Sequence, residues 1–110
     1  MSTEKKKRIY NKLVRDGVPE QIAQGGDTCV HCVLEDEDEY RFALDEKLDE
    51  EIADYQISKD ISELSDVLEV IHAIVEARGM TFEELDEMRL KKREKRGGFT
   101  KRFLVKEIHE

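Results

Sequence analysis

The sequence predicts a mainly α-helical fold with short extended segments near its two ends, and three observations point that way. Charged residues make up 42% of the chain and hydrophobic residues 38%, which suits helices with heavily charged outer faces. Trp is absent and Pro occurs once, so the turn-rich signature of a strand sandwich is missing. Two long stretches repeat apolar residues at the 3.6-residue period of a helix. At 110 residues the chain fits one domain, residues 1–110, which buries only a modest core alone. Self-association is therefore an expectation from the start.

Taken in order, Ile9-Tyr10-Asn11-Lys12-Leu13-Val14 is apolar enough for an extended segment. Pro19 suits the first turn of a short helix, which Gly25-Gly26 ends. Thr28 to Leu34 is rich in β-branched and apolar residues and reads as a strand, whose alternation sends Cys29 and Cys32 to opposite faces. Cys29-Val30-His31-Cys32 is then a pair of structural thiols, and no second pair completes a four-ligand zinc site. Asp36 caps a helix whose first turn is acidic, as the helix dipole favours, and which runs to about Ile57.

Ser58 to Asp60 connect it to a second helix from Ile61 to Arg78, stopped by Gly79. Thr81-Phe82-Glu83-Glu84 is a capping box opening a third, which passes through Leu85 and Met88 to Gly97-Gly98. In the segment from Phe99 to Ile108, Phe103 and Val105 alternate as a short strand would.

The net charge of −8 hides a strong segregation. Residues 35–66 hold fourteen acids and three bases, residues 89–106 hold nine bases and one acid, and residues 5–15 add six bases with no acid. A polyanion bound through metal ions uses both kinds of surface, whereas a plain DNA binder has no need of the acidic block. The Lys5-Lys6-Lys7-Arg8 run reads as solubilising. No apolar run reaches the roughly 18 residues of a membrane span, and Met1 to Arg8 lacks the apolar core of a signal peptide, so the expected location is the cytoplasm.

Candidate chemistry comes from where the acids fall on the helices. Leu44, Leu48, Ile52 and Tyr55 form one apolar stripe, widened by Tyr40, with Glu51 inside it and Asp54 at its edge. On the next helix Ile61, Leu64, Val67, Leu68, Ile71, Ile74 and Val75 cover one broad side. Val70, Ala73 and Ala77 form another, flanked by Glu63 and Asp66. A helix apolar on two sides is central in a bundle or a dimer. Each acid pair is three residues apart and shares a surface. Four converging carboxylates repel one another unless cations sit among them, and hard oxygen ligands suit magnesium or manganese. The acids at Glu35 to Glu39 and Glu69 read as solvated, and His31, His72 and His109 have no ligand spacing.

Glu50-Glu51-Ile52-Ala53-Asp54 followed by Glu63-Leu64-Ser65-Asp66 resembles the paired acidic motif of the all-α nucleoside triphosphate pyrophosphatases. These are the MazG-like enzymes and their relatives phosphoribosyl-ATP pyrophosphohydrolase and dimeric dUTPase. The opening Tyr10-Asn11-Lys12-Leu13-Val14-Arg15-Asp16 and the closing Lys92-Arg93-Glu94-Lys95-Arg96-Gly97-Gly98-Phe99 resemble one small house-cleaning branch, often labelled phosphoribosyl-ATP pyrophosphohydrolase-like. The resemblance implies a MazG-like helical bundle that dimerises, with magnesium held at Glu51, Asp54, Glu63 and Asp66. The implied reaction cleaves a nucleoside triphosphate to monophosphate and pyrophosphate. Two departures stand out: the Asp54 position is usually Glu, and the segment from Tyr55 to Ser62 is about one helical turn shorter than in the branch.

Glu50 or Glu51 is the candidate proton acceptor, and Lys12, Arg15, Lys92 and Arg96 are candidate phosphate contacts. Two other functions stay open. One is hydrolysis of phosphoribosyl-ATP; the other is a catalytically weak dimeric helical module binding a partner protein or nucleic acid through its basic ends. A homodimer or higher homo-oligomer is expected, and a membrane partner is not.

Overall fold

An antiparallel helical hairpin forms where two apolar stripes can bury each other. The computed structural model describes residues 6–110; Met1 to Lys5, and with them the first lysine of the basic run, lie outside the described residues. Among the described residues four helices follow in order: α1 (Val18–Gln24), α2 (Glu37–Ser58), α3 (Ser62–Ala77) and α4 (Phe82–Arg96). α2 and α3 make the hairpin, and α4 packs against α3 alone among the helices.

Local sequence sets each boundary. Pro19 lies in the first turn of α1, and the backbone N–H of Gly25 closes its end. The Asp36 carboxylate accepts from the Asp38 N–H at the start of α2, ahead of Glu37, Asp38 and Glu39. α2 ends on Lys59 in the left-handed conformation, with φ 58°. Asp60 then accepts from both the N–H and the hydroxyl of Ser62 at 2.9 Å, and these bonds to the ionised form hold its carboxyl below the usual range. Both halves of the expected capping box at Thr81 and Glu84 are present.

The side of α3 that faces α2 is the one carrying Val70, Ala73 and Ala77. Val70 and Val75 are buried on α3 and Leu44 on α2, and they are the whole of the buried apolar core among the described residues. Arg41 reaches across to donate to the Ala77 carbonyl at 3.1 Å, which sets the antiparallel register. The broader apolar side of α3 is covered only in part: Val75 is buried and Ile71 and Ile74 half-buried, while Leu64 and Leu68 near its start are exposed. His72 stacks on Phe82, ring centroids 3.9 Å apart, and so ties the start of α4 to α3.

Two sequence expectations fail. No strand forms among the described residues, neither at Thr28–Leu34 nor at Phe103–Val105. A lone extended segment leaves its N–H and C=O groups unpaired, and neither stretch finds a neighbour to complete a ladder. Both thiols are free, Cys29 half-buried and Cys32 exposed.

The result is long and thinly packed. The radius of gyration is 19.6 Å, against about 13 Å for a compact domain of this length, and the extents are 73 × 33 × 25 Å. No helix among the described residues is long and apolar enough to cross a membrane.

Candidate metal centre

The hairpin register sets Glu51 on α2 opposite Glu63 and Asp66 on α3. One carboxylate oxygen from each of these three lies within 4.8 Å of the others. Glu51 is drawn into the apolar stripe, its side chain 14% exposed, and Glu63 and Asp66 are half-buried. Three carboxylate oxygens this close, on side chains with rotatable ends, could be drawn together around one divalent ion. The donor set is all carboxylate, the chemistry that magnesium and manganese prefer.

The four acids named from sequence do not form one cluster. Asp54 is exposed and groups instead with Glu50 and Glu51 on its own helix, again within 4.8 Å. Glu51 is common to both groups. Asp54 still acts on the inner set through its charge: the carboxyl of Glu63 is raised above its ordinary value first by loss of solvent, then by the charges of Asp54 and Asp66. A hydrogen bond with Asp66 and the charge of Glu51 add to the same direction.

Three tethered cations offset this concentration of negative charge. Lys47 Nζ lies 3.4 Å from Glu50 and 3.5 Å from Glu51, with its side chain only 16% exposed. Lys12 Nζ is 3.3 Å from Glu50, and Arg15 Nη2 donates to Asp66 at 2.7 Å. The segment before α1 therefore lies against the acid cluster and is fixed there by two ion pairs. Left-handed Asn11, φ 44°, bends the chain just before Lys12.

Lys12 and Arg15, expected at phosphates, are brought to the centre. Lys92 and Arg96 are not: they are exposed on α4, which makes no packing contact with α2, and neither forms an ion pair among the described residues. Sequence reasoning missed Lys47. Its signal was present, since Lys47 precedes Glu50 and Glu51 by three and four residues, the spacing at which helical side chains meet.

Compared with protein-family models, with curated proteins and with solved structures, the chain has no match.

Proposed function

We propose that this chain is a magnesium-dependent nucleotide pyrophosphohydrolase of the MazG-like kind, cleaving a non-standard or surplus nucleoside triphosphate to monophosphate and pyrophosphate. The observation that carries it is the convergence of Glu51, Glu63 and Asp66 from two helices, with the cations of Lys12 and Arg15 at the rim. The resemblance of the two acidic motifs supports the same reading.

Glu51, Glu63 and Asp66 would hold the ion, and exposed Asp54 would add its charge from the edge of the set. Magnesium, when bound there, would supply neutralisation of phosphate charge and a lowered pKa for the attacking water. Glu50 sits beside this set without belonging to its inner group, and so is the proton acceptor for the attacking water. Lys12 and Arg15 exchange their carboxylate partners for phosphate oxygens when the nucleotide arrives, because charge-assisted bonds to phosphate replace the ones they give up. Water adds to phosphorus, the bond to the bridging oxygen breaks, and pyrophosphate leaves.

A panel of nucleotides assayed for pyrophosphate release, with and without magnesium, tests the reading and separates it from hydrolysis of phosphoribosyl-ATP. Turnover is expected only with a divalent ion, and Glu63→Gln is expected to lower it by about 100-fold or more. If neither turnover nor thermal stability responds to magnesium, and Glu63→Gln changes nothing, the proposal fails.

A further inference from the structure

The segment after α4 is chemically two-natured. Phe99, Phe103, Leu104, Val105 and Ile108 are between 72% and 97% exposed, and Lys101, Arg102 and Lys106 stand among them. None of the bases from Lys91 to Lys106 pairs with a carboxylate among the described residues. Removing apolar side chains this open from water is favourable in proportion to the area covered, so a chain that displays them has a covered state to gain.

A complementary surface lies on the hairpin. An open groove of about 410 Å³ is lined by Leu48, Ile71, Ile74, Val75, Leu85 and Met88. Asp45 and Arg78 share its lining. Asp45 belongs to a strip on α2 made by Asp38, Phe42, Asp45 and Asp49, whose spacing of four, three and four residues puts them on one face. All four are exposed, and none of the three acids forms an ion pair among the described residues. Unpaired acids beside an apolar groove match unpaired bases beside apolar side chains.

The surface area indicates what brings them together. The chain exposes 10569 Å², about two thirds more than the roughly 6,300 Å² of a folded monomer of its mass. A permanent dimer buries about 2,000–5,000 Å² in total, half from each copy, which this excess covers. We infer that two copies of this chain associate by exchanging the segments after α4, each placing Phe103 and its apolar neighbours in the groove of the other while Arg102 and Lys106 meet Asp38, Asp45 and Asp49. The arrangement is self-complementary and closes as a twofold dimer.

The test uses the full chain in chelator, without nucleotide, so its result is independent of the magnesium reading. Sedimentation equilibrium is expected to give a dimer at micromolar concentration. Phe103→Asp, at a site that the single copy leaves open, is expected to raise the dissociation constant at least about tenfold. A photo-reactive phenylalanine in place of Phe103, in a mixture of isotope-labelled and unlabelled copies, is expected to cross-link between copies to the groove-lining peptides of α2, α3 or the start of α4. Asp45→Lys is expected to weaken association and Lys106→Glu to restore it in a mixture of the two variants. A monomer, cross-links confined to one copy, or a dimer whose cross-links miss the groove overturns the inference.

Discussion

The two ends of the α2–α3 hairpin are built from the same two helices and held by opposite physics. At one end Leu44, Val70 and Val75 exclude water, and Arg41 clips the helices together through the Ala77 carbonyl. At the other end the same faces carry Glu51, Glu63 and Asp66, which repel. The first end holds α2 and α3 together by burying apolar surface. The second is brought together by that packing and kept tolerable by Lys12, Lys47 and Arg15. A set of carboxylates can be held close only where another part of the fold supplies the stability it lacks.

The largest expected effect is at the apolar end. Leu44 is 3% exposed and one of only three buried apolar side chains among the described residues. Leu44→Ala is expected to lower unfolding stability by about 2–3 kcal/mol, read from the urea midpoint. An unchanged midpoint would mean that the hairpin is not held there, and the contrast between the ends would collapse.

Lys47 probes the acidic end. Lys47→Met removes the cation that pairs with both Glu50 and Glu51 while keeping most of the side chain's bulk. In chelator the variant is expected to lose about 1–2 kcal/mol, less than for removing one partner of a fully buried pair because this one retains some solvent. Magnesium should then raise its melting temperature by more than it raises that of the wild type, since an ion takes over the missing charge. Equal rises in the two proteins would show that Lys47 and the metal do not share a site.

How much of this was legible beforehand differs between the two ends. The helices were readable because capping and stopping residues act locally: Asp36, Thr81 with Glu84, Gly25 and Gly79 fall at or within two residues of the observed ends. The strand expected over Thr28 to Leu34 was not, because its composition reports a propensity whereas a strand exists only with a partner. At the site, helical phase placed Glu51, Glu63 and Asp66 together. It could not show Asp54 turning outward, since that residue lies at the edge of the stripe, where a few tens of degrees decide between partner and solvent. Nor could phase tell that Lys12 and Arg15 reach the acids from outside the hairpin while Lys92 and Arg96 do not.

pH offers a finer contrast. Because the carboxyl of Glu63 is raised from its ordinary 4.5, the folded state holds a proton that the unfolded state releases sooner. The stability tied to that proton is fully present below 4.5 and is lost as pH rises through the folded value. Metal-free wild type should therefore lose stability relative to Glu63→Gln across this rise. With magnesium bound the sign reverses, because the ion favours the ionised form, and binding should release protons, measurable by calorimetry in buffers of different ionisation enthalpy. A wild-type-minus-variant difference flat in pH would mean that the acidic end is not under electrostatic load.

The smallest effect on stability is expected from Lys12. Its ion pair with Glu50 is solvent-exposed, the lysine side chain 49% open, and such pairs contribute about 0–1 kcal/mol. Lys12→Ala should leave the urea midpoint nearly unchanged, yet under the proposed function it removes a cation that meets phosphate, so the KM for nucleotide should rise severalfold. Losing the competing ammonium also leaves Glu50 more negative, which should tighten magnesium binding in the absence of nucleotide. Opposite shifts for metal and nucleotide would identify Lys12 as a counter-ion exchanged between carboxylate and phosphate. If both weaken together, the segment before α1 acts on the cluster only by holding it in shape.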